Sequence, residues 1–167
     1  MTGSVASAGT YELGKPGQIM SDSTKPEPDT YTVLLYSDDL AVRDRIRLAI
    51  GTRPAADLAV EFLDASTWEE CRILLDKYVI DLMVLDGEAA PAGGLGIARQ
   101  TKDEYATPPP VCVVLARAAD RWLAAFAQVD QTLTYPLDPV TTGQTVAGML
   151  RAHRAGAVPL GTLGHLG

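Results

Sequence analysis

After about residue 30 the apolar positions of the chain change period several times, and each change marks an element. Residues 32–36 are a β-branched and apolar run that stops at Ser37-Asp38-Asp39. From 41 to 50, Val42, Ile46 and Ile50 recur every four places on one helical face. This predicts strand, acidic turn, helix. Residues 60–63, Val-Glu-Phe-Leu, read as a second short strand. Residues 66–77 read as a helix opening with Ser66-Thr67-Trp68-Glu69, the Ser-x-x-Glu spacing of a capping box. The run Ile80-Asp81-Leu82-Met83-Val84-Leu85-Asp86 is almost continuously apolar, ends at an acid and gives way to a loop of small residues over 87–95. A strand without polar alternation is buried on both faces, so it belongs in the middle of a sheet, with a carboxylate at its C-terminal edge.

A helix over about 94–102 follows, and Pro108-Pro109-Pro110 breaks the chain before a fourth strand at 111–115. Residues 118–128 read as a helix, 132–134 as a brief fifth strand, and 139–153 as a last helix with Val146, Met149 and Leu150 on one side. Each parallel crossover needs a helix to cover one face, so five strand-then-helix units predict an α/β fold. The expected architecture is a doubly wound five-stranded parallel sheet of order 2-1-3-4-5 with helices on both faces, its acidic strand ends gathered on one edge.

Composition narrows the function classes. With 167 residues, 47% of them hydrophobic and 21% charged, the chain can bury the core of one domain. A formal charge of -7 repels a duplex phosphate backbone, and Arg43, Arg45 and Arg47 are interrupted by Asp44, so no nucleic-acid partner is expected. Cys71 and Cys112 have neither metal spacing nor a secreted-scaffold pattern, which places them in a reduced cytoplasmic interior. No apolar stretch reaches about 18 residues and no signal peptide is evident, so no direct membrane span is expected. Residues 1–30, rich in Gly, Ser, Thr and Pro with scattered Tyr11, Leu13, Ile19 and Met20, read as a flexible tail before a domain over 31–155. Residues 156–167 read as a second tail, where Leu160, Leu163 and Leu166 suit either fraying or insertion into a groove. His153 and His165 lack metal-ligand companions and read as ordinary solvated histidines.

The stretch ending at Asp86 resembles the third strand of bacterial response-regulator receiver domains, where D-L-V-L-L-D is followed by a loop carrying Pro and a Gly eight residues after the phospho-accepting Asp. Asp86 and Gly94 keep that spacing, and the proline comes one place late, at Pro91. The resemblance runs from residue 32 to about 154 and implies the flavodoxin-like receiver fold. Ser37-Asp38-Asp39 with Val42-Arg43 is similar to the family's acidic turn. This anchoring puts Asp38 on the acid that binds Mg²⁺ and Ser37 on its acidic neighbour, which is lost. The strand-four hydroxyl is replaced by Leu115, the lysine of the strand-five Lys-Pro by Tyr135, and the switch aromatic by Thr132.

What the resemblance implies is therefore divided. Asp86 is either an acid that ends a strand and caps its turn, a phosphoacceptor, or one member of a Mg²⁺ site with Asp38, Asp39 and the Glu88 carbonyl. Phosphoryl transfer depends on positioning and on donors for the oxygens, which Leu115 cannot supply. With Leu115 and Thr132 at the switch positions there is no evident two-state element. Trp122 is either core or an exposed anchor for a partner. Two functions compete: a phosphorylation-independent pseudo-receiver that docks on a larger assembly, and a single-domain response regulator phosphorylated on Asp86 by a histidine kinase. Neither makes the chain an enzyme beyond slow self-phosphorylation and self-dephosphorylation, and no cofactor is required. Free-standing chains of this kind also resemble accessory subunits of the bacterial respiratory NADH:quinone dehydrogenase, which implies a protein partner on the cytoplasmic arm of a membrane complex.

Overall fold

The computed structural model describes residues 26–156. Strands and helices alternate as β1 (Asp29–Tyr36), α1 (Leu40–Ile50), β2 (Leu58–Ala65), α2 (Trp68–Lys77), β3 (Leu82–Asp86), α3 (Gly94–Glu104), β4 (Val111–Leu115), α4 (Arg121–Phe126), β5 (Gln131–Thr134) and α5 (Pro139–Arg154). The five strands are parallel and lie in the order β2-β1-β3-β4-β5, as the alternation predicts.

Parity along the strands builds the two layers. Val33 and Leu35 of β1, Val84 of β3 and Cys112 of β4 pack with Ile46 of α1 and Leu150 of α5. Their chain neighbours Leu34, Tyr36, Met83, Leu85 and Val113 point the other way and pack with Cys71 of α2, Ile97 of α3 and Ala124 of α4. All five residues of β3 and all five of β4 are buried, which explains their unbroken apolar runs.

Three local expectations are corrected. The first strand starts at Asp29 rather than 32, because the ladder to β2 runs through Asp29↔Leu58 and Thr30↔Ala59; β2 is correspondingly longer than 60–63. The second helix is capped by Thr67, whose side chain accepts from Glu70 N–H, while the Glu70 carboxylate accepts from Ser66 N–H at 2.7 Å. The reciprocal pair is thus shifted by one residue from Ser66 and Glu69. The fourth helix is short: a 3₁₀ turn at Ala118–Asp120 leads into α4, and the chain leaves it at Gln128 in the left-handed region, φ 60°. Val129 N–H bonds Ala124 O at 3.1 Å and Gln128 N–H bonds Ala125 O at 3.2 Å, the paired bonds of a Schellman termination.

Candidate functional site

β3 ends at the carboxyl edge of the sheet between β1 and β4, so its last residue stands beside the turn leaving β1 and the strand end of β4. That residue is Asp86, 4% exposed. Ser37, fully buried at the end of β1, donates its hydroxyl to Asp86 Oδ2 at 2.7 Å, and Glu88 N–H donates to Oδ1 at 2.9 Å. The Ser37 hydroxyl in turn accepts Asp39 N–H at 3.1 Å. Arg43 holds this turn from α1, donating to the Ser37 carbonyl and to Asp64 of β2 at 3.1 Å.

The loop after Asp86 is held close. Gly87 N–H bonds Val114 O at 2.8 Å, and Tyr36 Oη donates to Ala92 O at 2.5 Å. Gly94 begins α3 so near the strand that a Cβ there would lie 2.7 Å from Asp86 O, which only a glycine permits. The Gly94 spacing noted in the sequence therefore has a packing cause.

Leu115 and Tyr135 lie near this edge. Leu115 is buried, with a side-chain methyl 3.3 Å from where a Cβ on Gly87 would stand, and Tyr135 N–H bonds the Leu115 carbonyl at 3.1 Å. The Tyr135 ring packs against the α1 and α5 layer, its hydroxyl is buried without a hydrogen-bond partner among the described residues, and Arg45 stands 5.9 Å from the ring centre. Burial, and after it the Asp86 charge, push the Tyr135 phenol up. Thr132 is half-buried on the edge strand β5. Among the described residues no Lys or Arg forms an ion pair with Asp86.

A Mg²⁺ ion would need oxygens from Asp38, Asp86 and the Glu88 carbonyl. Asp38 Oδ1 accepts Ala90 N–H at 3.1 Å, Asp39 Oδ1 caps α1 through Ala41 N–H at 2.8 Å, and both Asp86 oxygens already accept neutral donors. Among the described residues no three His, Cys, Asp or Glu side chains gather as a metal-holding group. At Asp86 Oδ2 the neighbour from β1 is therefore a neutral hydroxyl donor, Ser37, and not a further carboxylate.

Other expected residues lie apart. Trp122 is 61% exposed on α4, edge-on to the 70% exposed Phe126 with ring centres 5.8 Å apart, so it is not core. Phe126 stands four places after Trp122, a helical spacing legible in the sequence. His153 is not simply solvated: its Nε2 lies 3.5 Å from Asp81 Oδ1. Cys71 and Cys112 are free and buried. His165, Tyr11, Leu13, Ile19, Met20 and the leucines of 157–167 lie outside the described residues. Nothing in the sequence pointed to Arg43 as the holder of the Ser37 carbonyl, or to Asp81, whose Oδ2 accepts Thr32 N–H at 2.8 Å and joins the starts of β1 and β3.

No family model matches the chain. It is 40% identical over 129 residues to an uncharacterised response regulatory protein of Mycobacterium tuberculosis strain H37Rv, across 75% of this chain and 97% of that protein. The corresponding protein of strain CDC 1551 matches with the same figures. Among solved structures, the chemotaxis response regulator CheY4 of Vibrio cholerae superposes with a TM-score of 0.58 at 16% identity, covering 72% of this chain and 99% of that one. The response regulator TrrA of Thermotoga maritima, in complex with Mg²⁺ and BeF, gives 0.60 at 18% identity over 71% and 98%.

Proposed function

Because the chain belongs to the response-regulator receiver family, we propose that it acts as a phosphorylation-independent receiver, an interaction module that docks on a larger bacterial assembly. The observation that carries this reading is the surroundings of Asp86: a serine hydroxyl and a backbone N–H at its oxygens, the Leu115 side chain where a hydroxyl would face a phosphoryl group, and a phenol where an ammonium would stand. Phosphoryl transfer needs fixed charge at the equatorial oxygens. A hydrogen bond to a charged group contributes about 1.5–3 kcal/mol against about 1 for a neutral pair, so the loss of both donors lowers acyl-phosphate formation by a few powers of ten.

The test is incubation with Mg²⁺ and acetyl phosphate followed by intact mass. The expected result is little adduct on the wild type; a gain in Leu115→Thr with Tyr135→Lys would assign the loss to those two positions, and no gain would assign it to Ser37. Stoichiometric labelling of the wild type that disappears in Asp86→Asn would overturn the reading.

That same outcome would establish Asp86 as a phosphoacceptor and support the second reading, a single-domain response regulator phosphorylated there by a histidine kinase. It is favoured by the retention of Asp86 and Asp38 on one edge and by the response-regulatory names of the mycobacterial relatives.

For the docking partner, the exposed Trp122–Phe126 pair supports a protein-binding surface on α4, since Trp is enriched at the centres of such surfaces. Among the described residues no helix is long and apolar enough to cross a membrane. Attachment to a membrane complex would accordingly be peripheral, and the cytoplasmic arm of the respiratory NADH:quinone dehydrogenase is the candidate that the sequence resemblance supplies. Affinity purification of wild type beside Trp122→Ala tests this: subunits of one complex should accompany the wild type and be lost with the variant.

A further inference from the structure

We infer that the Ser37 hydroxyl has taken over the structural work of a divalent cation at this site, so that the acidic edge is cation-independent and Asp86 serves as a fixed hydrogen-bond acceptor joining β1 to β3. The inference deepens the reading above and rests on it for the premise that Asp86 is not a working phosphoacceptor.

Carboxylates crowded at a strand edge repel one another, and a buried one must be neutralised by a cation or by donors. In this chain the crowding is relieved without a cation. Asp38 is exposed and turned to Ala90 N–H, and Asp39 is exposed and spent on capping α1. Asp86 alone is buried, and each of its oxygens has a donor: Ser37 Oγ at 2.7 Å and Glu88 N–H at 2.9 Å. The serine is polarised in the right sense, because Asp39 N–H donates to its oxygen while its proton goes to Asp86. It is also held in register by Ser37 N–H bonding Ala65 O at 3.2 Å and by Arg43 on its carbonyl. Asp38 and Asp86 together bring a formal charge of only −2. Mg²⁺ dehydrates reluctantly and takes near-ideal octahedral geometry, so to bind here it would compete with the Ser37 hydroxyl for the Asp86 carboxylate. Ser37→Asp would restore a third acid, remove the donor and recreate the need for a cation.

Thermal midpoints in EDTA and in about 10 mM Mg²⁺ test the inference. The wild-type midpoint should move by less than about 1 °C. Ser37→Asp should lie well below wild type in EDTA and rise by about 4 °C or more in Mg²⁺, as a ligand that binds only the folded state requires. Calorimetric titration of the wild type with Mg²⁺, beside Asp86→Asn, decides the matter even if Ser37→Asp does not fold. Heat fitting a Kd below about 1 mM that vanishes in Asp86→Asn overturns the inference, as does a Ser37→Asp midpoint indifferent to Mg²⁺; no site-dependent heat supports it. The two proposals fail separately: Mg²⁺ binding without acyl phosphate defeats only this one, whereas labelling of Asp86 defeats the premise.

Discussion

Asp130 and Lys102 form a buried pair that no sequence pattern marks. The Asp130 side chain is 1% exposed and that of Lys102 12%, with Nζ 2.8 Å from Oδ2, and the same oxygen accepts Val111 N–H at 2.7 Å. The pair fastens α3 to the loop before β5 and to the start of β4. Removing one partner of such a pair leaves a buried charge uncompensated, so Lys102→Met should cost about 3 kcal/mol in denaturant unfolding, and adding Asp130→Asn should recover part of it. A loss under about 1 kcal/mol would mean that water already reaches Asp130. The site residues follow the same logic of proximity. The sequence identified Asp86, Ser37, Leu115 and Tyr135 by position alone. That the Ser37 hydroxyl donates to Asp86 depends on two residues 49 places apart meeting across β1 and β3.

At the scale of elements, α3 carries two glycines with opposite roles. A Cβ on Gly94 would meet Asp86 O at 2.7 Å and Leu85 Cβ at 2.9 Å, parts of β3 that cannot move aside, whereas one on Gly96 would meet nothing within 4 Å. Gly94→Ala should therefore destabilise by about 2 kcal/mol through overpacking and shift the Asp86 amide resonance. Gly96→Ala should stabilise by about 0.5–1 kcal/mol, since a helix-interior glycine carries only an entropic penalty. Equal effects at the two positions would show that the close approach at Gly94 costs nothing. Continuous apolar runs make β4 legible to the residue and β3 to within two residues at its start, Leu82 rather than 80, because both faces are buried. The edge strand β2, with its mixed burial, and the short α4, ended by a glutamine in the left-handed region, carry weaker signals, and both differ in length from the sequence expectation.

For the whole molecule, stability should fall at both ends of the pH scale, for different reasons. Glu70 is held below 4.5 chiefly by the Ser66 backbone N–H. Asp138 and Asp57 are held below 3.8, chiefly by the Thr141 backbone N–H and by the Arg151 guanidinium respectively. The stabilisation from these lowered groups is present above their unfolded values and lost as pH drops beneath them, in a shallow limb because all three are solvent-screened. Burial pushes the thiols of Cys71 and Cys112 from 9.0 up to about 12, so their contribution is complete below pH 9.0 and is lost as pH rises toward 12. Denaturant midpoints measured at pH 3, 7 and 10.5 should peak at the middle value, and Cys112→Val should flatten the alkaline side; an unchanged alkaline slope would assign that limb to the tyrosines and lysines instead. By itself the sequence determined the order of strands and helices, the burial of β3 and β4 and the acidic edge of the sheet, because hydrophobic period and turn chemistry act over a few residues. Only the tertiary structure decided that Ser37 satisfies Asp86, that the Tyr135 hydroxyl is buried beside a charged site, that Trp122 faces solvent and that Lys102 neutralises Asp130. Each depends on which strand lies next to which, and in what register, and contacts of that kind carry no local signature.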